Sequence, residues 1–223
     1  MSSAPEIVAL ILAECEALPV RNTPSLRLIR RKYSRMLLGV EGDLVLQIAR
    51  ELRQTGRYRW IGYELVRAHP AAFRRLGAAQ LEDLGWGMDS WWTVDAFART
   101  LSGPAWLAGQ VSDELILKWA HAPERWWRRA ALVSTVALNV RSQGGLGDVP
   151  RTLKVCRVLL NDPDDMVVKA LSWALRELVV HDPQAVRAFL DEYEGVLAGR
   201  VKHEVRNKLE TGLKYPKGAT YAT

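Results

Sequence analysis

Trp91 and Asp95 stand four residues apart in Ser90-Trp91-Trp92-Thr93-Val94-Asp95, the spacing that puts two side chains on one face of a helix. An indole beside a carboxylate makes a flat, electron-rich, negative site suited to a cation. Two later segments carry a related mixture: Arg125-Trp126-Trp127-Arg128-Arg129 and Lys169-Ala170-Leu171-Ser172-Trp173-Ala174-Leu175-Arg176. In a groove shared with Asp95, Arg129 would supply a guanidinium fork for a phosphate, and Trp173 a second ring wall. The chain holds nine Trp against three Phe. Leu and Val suffice to fill a core, so rigid rings beside cations are weighed here as surface equipment for nucleic acid or a cation. The ordinary reading, burial between helices, is kept for Trp60, Trp86, Trp106 and Trp119. For Asp95 the ordinary alternative is a bond to a neighbouring helix terminus.

Side chains so distant in sequence meet only if the elements that carry them repeat. Apolar residues recur at three and four, and period-two alternation is nowhere sustained, which predicts an all-α protein. Helices are expected over 5–17, 24–38, 41–54, 57–68, 70–76, 78–86, 88–101, 104–109, 112–121, 124–140, 149–161, 164–180, 183–195 and 199–213. Asp182-Pro183 is a cap followed by a first-turn proline, and Asp162-Pro163-Asp164-Asp165 and Ser112-Asp113-Glu114 load acids into first turns. Ser142-Gln143-Gly144-Gly145-Leu146-Gly147-Asp148 is the clearest break; with no strand before it and no Gly-Lys-Ser/Thr after, it is not a phosphate loop. Arg129-Ala130 aligns with Lys169-Ala170 at an offset of 40 residues, with a looser copy at Arg200 to Arg206. That is the period of HEAT-type helical pairs, whose second helices line one concave surface. Trp91, Arg129 and Trp173, 38 and 44 residues apart, would then converge. The expected architecture is a curved α-α superhelical solenoid with a concave basic groove, one domain over 1–223 that ends in a basic tail over 214–223.

Composition agrees with a polyanionic partner without requiring one. Lys and Arg number 31 against 25 Asp and Glu, a net charge of +6 and a pI near 9.5. Residues 21–36 carry Arg21, Arg27, Arg30, Arg31, Lys32 and Arg35 with no acid, and the stretch 196–217 carries Arg200, Lys202, Arg206, Lys208, Lys214 and Lys217 against Glu204 and Glu210. Cys15 and Cys156 have no CxxC spacing and suggest neither a disulfide framework nor a metal. The run from Ile7 to Ala13 is too short to cross a bilayer. The expectation is a cytoplasmic protein without targeting or membrane segments.

Taken in order, Trp91 to Asp95, Trp126 to Leu132, and Ala170 to Glu177 resemble the motifs of the bacterial alkylpurine DNA glycosylases built of HEAT-like repeats, the AlkD type. The likeness is best from about residue 40 to 195 and weaker over 1–40. It implies catalytic-groove roles for a Trp followed four residues later by Asp, an Arg before an Ala-Ala pair, and a Trp before an apolar-Leu-Arg-Glu segment. Those are Trp91, Asp95, Arg129 and Trp173. The resemblance implies that Asp95, Trp91 and Trp173 are catalytic. It further implies that Arg129, with Arg128, Lys169 and Arg176, contacts double-stranded DNA carrying alkylated bases. No cofactor or metal is implied, and a monomeric, cytoplasmic, nucleoid-associated protein is expected.

The implied chemistry suits the residues. An N3- or N7-alkylated purine is already cationic and leaves without a general acid, so one carboxylate suffices where glycoside hydrolysis ordinarily needs two. Most glycosylases flip the base into a pocket; the resemblance implies excision without one. Three features depart from the family pattern. Trp92 stands where an acidic residue often follows the first Trp, the amino-terminal region is short, and the glycine-rich loop over 142–149 would reshape one groove edge. A non-catalytic HEAT-like module that binds nucleic acid or protein is the alternative of a different class.

Overall fold

A computed structural model of the chain describes residues 3–216. Of the basic tail expected over 214–223, only residues 214–216 lie within them. Among the described residues every regular element is helical. In chain order these are α1 (Ala4–Glu16), α2 (Thr23–Met36), α3 (Gly42–Arg53), α4 (Arg59–Ala68), α5 (Pro70–Arg74), α6 (Ala78–Gly85) and α7 (Trp91–Phe97). Then follow α8 (Gly103–Leu107), α9 (Asp113–Ala120), α10 (Arg125–Asn139), α11 (Val149–Val158), α12 (Asp165–Leu178), α13 (Pro183–Glu192) and α14 (Gly199–Thr211). The expected boundaries hold to within a few residues because the caps are local. Asp182 accepts from the Ala185 amide ahead of Pro183, and Asp164 accepts from the Met166 amide.

One boundary differs. The expected break after residue 101 is absent: Ala98–Ser102 forms a π-turn that joins α7 directly to α8. Pro104 has no amide hydrogen to give the helix, and the wider turn accommodates that missing bond without ending it. Gly103 suits the position before proline because it has no Cβ to meet the proline ring. It also lies against α10, where an added Cβ would stand 2.7 Å from the Ser134 carbonyl oxygen and 2.8 Å from the Ala137 Cβ. Gly103→Ala should therefore cost about 1–3 kcal/mol through overpacking, read as a lowered midpoint in chemical denaturation. An unchanged midpoint would show that α8 can move away from α10.

The helices that matter for function form a row. α2 packs on α4, α4 on α7, α7 on α10, α10 on α12, and α12 on α14. α10 is the centre of this row, touching α7, α8, α9, α11 and α12, and every residue from Arg129 to Asn139 is buried. One continuous cluster of buried apolar residues runs from Ala4 to Val205. Cys15 and Cys156 are unpaired and buried in it; burial pushes the Cys15 thiol up to about 11. No helix among the described residues is long and apolar enough to cross a membrane.

The tryptophans divide by position. Trp106 and Trp119 are buried, each donating its indole N–H to a carboxylate, Asp113 and Glu82 respectively, and Trp60 is half-buried. Trp86 corrects the packing expectation, for it is 69% exposed. It occupies the cap where α6 has ended, with extended backbone (ψ 136°) before Gly87 at φ +70°, so the helical periodicity that would have turned it inward no longer applies.

Candidate functional site

The row of helices brings the sequence-distant residues into one cleft of about 470 Å³, lined by Trp91 and Asp95 of α7, Arg129 of α10, Met166, Lys169, Trp173 and Arg176 of α12, and Lys214 beyond α14. Trp91 sits in the first turn of α7 and is 55% exposed. Its neighbour one turn on, Asp95, is partly buried. The spacing of four places both on the same face, and contact between α7 and α10 sets Asp95 opposite Arg129.

Arg129 and Asp95 form a two-pronged ion pair. Nε donates to Oδ1 and Nη2 donates to Oδ2, each at 2.9 Å. A third donor, Nη1, bonds the Met166 carbonyl at the start of α12. Arg129 is only 6% exposed, so the guanidinium spans three helices from inside the protein. Two of its five N–H groups make no bond among the described residues. The expected alternative for Asp95, a bond to a helix terminus, does not describe it; the terminal carbonyl is bonded by Arg129 instead. Burial pushes the Asp95 carboxyl above the ordinary aspartate range, against the hydrogen bonds and charge of Arg129 and the charge of Arg99.

The other wall is built by α12. Trp173 donates its indole N–H to Glu177 at 2.8 Å, which fixes the ring plane from one turn away, and the Arg99 guanidinium lies 5.6 Å from its centroid. Arg176 is held by Ser172 (3.2 Å), whose hydroxyl donates at 2.6 Å to the buried carboxylate of Glu204. Lys214 lies 3.3 Å from Glu204 and Arg200 3.6 Å. Burial alone would raise Glu204, but the Ser172 hydroxyl, Lys214 and Tyr215 together hold it below the usual carboxylate range. Lys169 pairs with Asp165 one turn earlier at 2.6 Å.

Of the residues singled out from the sequence, Trp91, Asp95, Arg129, Lys169, Trp173 and Arg176 meet at this cleft. Arg128 does not line it. One position round α10, its guanidinium bonds Asp162 (Nε at 2.6 Å) and the carbonyls of Ala122 and Pro123. Two participants escaped sequence reasoning, the Met166 carbonyl and Arg99, and Lys214 enters it only as one of the charges over 196–217. A backbone oxygen has no sequence signal; Arg99 has one, its spacing of four from Asp95, while the reach of Lys214 to the cleft depends on tertiary packing.

Asp95 also borders a second cavity of about 420 Å³ on the α2–α4 side, and that cavity shares Arg27, Glu64, Arg99, Thr100 and Gln143 with a third of about 600 Å³. Arg27, Arg30 and Arg31 of the basic segment over 21–36 line the third. A further cavity of about 830 Å³ lies elsewhere, between α6, α9 and the start of α10. It contains Trp86, Trp119 and Trp127, and its Arg53–Asp83 and Lys118–Glu82 charges are paired internally. It is larger than the Asp95 cleft but brings together none of Trp91, Asp95, Arg129 and Trp173. No group of three His, Cys, Asp or Glu placed to hold a metal occurs among the described residues.

Fold and site together define an all-helical protein that presents one carboxylate among indoles and cations. The DNA alkylation repair enzyme family model matches residues 23–209, and the chain belongs to that family. The matched stretch contains Trp91, Asp95, Arg129 and Trp173. Comparison with curated proteins and with solved structures returned no match.

Proposed function

We propose that this protein is a monofunctional DNA glycosylase that removes N3- and N7-alkylated purines, already cationic, from duplex DNA. The carrying observation is the placement of Asp95 between Trp91 and Trp173 with its carboxylate locked by Arg129. The row α4, α7, α10, α12 and α14 supports a HEAT-like solenoid in which second helices line a concave groove, and the basic residues along it support DNA as the ligand.

In the proposed reaction the C1′–N bond breaks with both electrons leaving on the base, which neutralises the base's positive charge. Positive charge grows on the deoxyribose, where the fixed Asp95 carboxylate stabilises it. Trp91 and Trp173 set their ring faces against the sugar and backbone and favour the same cationic state. Water then adds to C1′, Asp95 orienting it, and its proton passes to the carboxylate or to solvent. The products are the free base and an abasic site. The lesion stays in the groove during excision, held by its backbone, and needs no receptacle of its own.

Arg129 is given a double part. Three donors hold Asp95 and α12, and the remaining two N–H groups meet a phosphate beside the lesion, with Lys169 and Arg176 on the rim. Arg128, turned toward Asp162, contributes to DNA binding only through general charge.

Release of free base from a duplex containing 7-methylguanine tests the reading directly. Release above the spontaneous rate is expected, and none at high protein concentration would leave the non-catalytic binding module as the better description. The pH profile gives a second check. Catalysis needs the ionised carboxylate, and burial makes Asp95 hold its proton at a higher pH than an ordinary aspartate. On acidification the rate should therefore begin to fall above the ordinary value of 3.8. A rate independent of pH through that region would remove Asp95 as the ionised group.

A further inference from the structure

The cavity on the far side of Asp95 has the composition of a nucleobase site. Its rings are Trp60 of α4, half-buried, and Trp92 of α7, 39% exposed; neither indole N–H is hydrogen-bonded among the described residues. Its neutral polar side chains are Thr23, Thr100 and Gln143, and the Gln143 Oε1 is buried and accepts no hydrogen bond; Glu64, 3.7 Å from Arg27, and Asp95 are its carboxylates. Its rim carries Arg27 and Arg99. At about 420 Å³ it falls within the range of about 300–1,000 Å³ typical of small-molecule sites.

Gln143 is held in place and not left on a loose loop. It lies in a single 3₁₀ turn, Arg141–Gln143, closed by Gly144 at φ +92°. The chain after it is pinned to the end of α10: Gly145 donates to the Val140 carbonyl, Gly147 to the Leu138 carbonyl, and the Asp148 amide to Asn139 Oδ1. Gly147 has φ +93°, and a Cβ there would stand 2.7 Å from the His181 side chain, which itself bonds the Asn139 carbonyl at 2.6 Å. The glycine-rich loop thus serves to bring one amide to the groove edge.

A carboxamide presents a donor and an acceptor side by side, the pattern that pairs with a base edge. Flat rings hold an unstacked base without regard to its sequence, and guanidinium groups at the rim suit the phosphates on either side. We propose that the Trp60–Trp92–Gln143 cavity receives a normal nucleobase, displaced from the stack of the bound duplex, next to the nucleotide held at Asp95. The Gln143 side chain turns to expose the Oε1 that is buried without DNA, so that Oε1 accepts from an N–H of the base's pairing edge and Nε2 donates to the adjacent carbonyl or ring nitrogen. The proposal rests on the Asp95 cleft being a DNA site, not on turnover there.

Photocrosslinking tests it. The intact protein is bound to duplexes carrying one tetrahydrofuran abasic analogue, with a single 5-iodouracil opposite it or at each flanking position. Binding is followed by fluorescence anisotropy, and the crosslinked peptide is mapped by mass spectrometry. At one of these positions the crosslink should fall on Trp92 or Trp60. Gln143→Ala should lower that yield about fivefold, the loss of one pair of hydrogen bonds. Bound duplex that crosslinks only elsewhere, or equal labelling of these rings by free 5-iododeoxyuridine, would overturn the proposal. Failure of base release alongside a Trp92 crosslink would remove the glycosylase reading and leave this one standing; release without the crosslink would do the reverse.

Discussion

Asp95→Asn should lower base release from 7-methylguanine duplex by about 10²–10³-fold, the loss typical of removing one fixed group that stabilises transition-state charge. Asparagine keeps the shape and an oxygen for Arg129, so the cleft should persist; what it lacks is the negative charge facing the deoxyribose. DNA affinity should stay similar or rise, because a negative group has been removed from a surface that meets phosphates. Single-turnover release and salt-dependent anisotropy measured on the same preparation separate the two effects. Equal loss of binding and of release would mean that Asp95 organises the surface and does no chemistry.

Arg129→Ala should be the most damaging single change to stability at the site. The guanidinium makes both bonds to Asp95 and ties α7 and α10 to the Met166 carbonyl of α12. Its removal leaves a carboxylate partly buried and uncompensated, at a cost of about 3–5 kcal/mol. For a chain of this size that is a fall of about 10 °C in melting temperature. Base release should drop as well, and its acid limb should move further up in pH, because Asp95 loses the bonds and charge that oppose burial. Arg129→Lys should rescue only part of this, since one ammonium cannot reproduce a fork. The Asp95→Asn/Arg129→Ala pair supplies the control. If the fork is the source of the effect, the double variant should melt well above the level expected from adding the two single losses. Strict additivity, with a shallower salt dependence for Arg129→Ala alone, would assign Arg129 to phosphate and not to Asp95.

This shift in emphasis for Arg129 shows where sequence reasoning stopped. From spacing, Arg129 was a phosphate ligand beside Asp95. The two share a cleft, but the pairing itself, and the donor that the Met166 carbonyl takes, follow from the depth at which α10 sits between α7 and α12. Arg128 shows the same limit from the other side. It stands next to Arg129 in the chain, yet about 100° further round the helix, and that rotation sends it to Asp162. Trp86 was misjudged because periodicity assumes a helix that, at that residue, has already ended.

The all-helical class, the element boundaries, and the set Trp91, Asp95, Arg129 and Trp173 were all present in the amino-acid sequence. The class and the boundaries rest on short-range rules (apolar spacing, caps, first-turn prolines); the four-residue set rests on the Trp91–Asp95 spacing, the repeat offset and the family resemblance. Tertiary structure alone decided that Arg129 is buried and forked onto Asp95, that Lys214 joins the cleft and Arg99 meets the Trp173 ring, and that the glycine-rich loop carries Gln143 to a second cavity beside Trp60 and Trp92. Those outcomes depend on how far neighbouring helices approach and rotate against one another. Many side chains along the whole row set that geometry together, and no local segment encodes it.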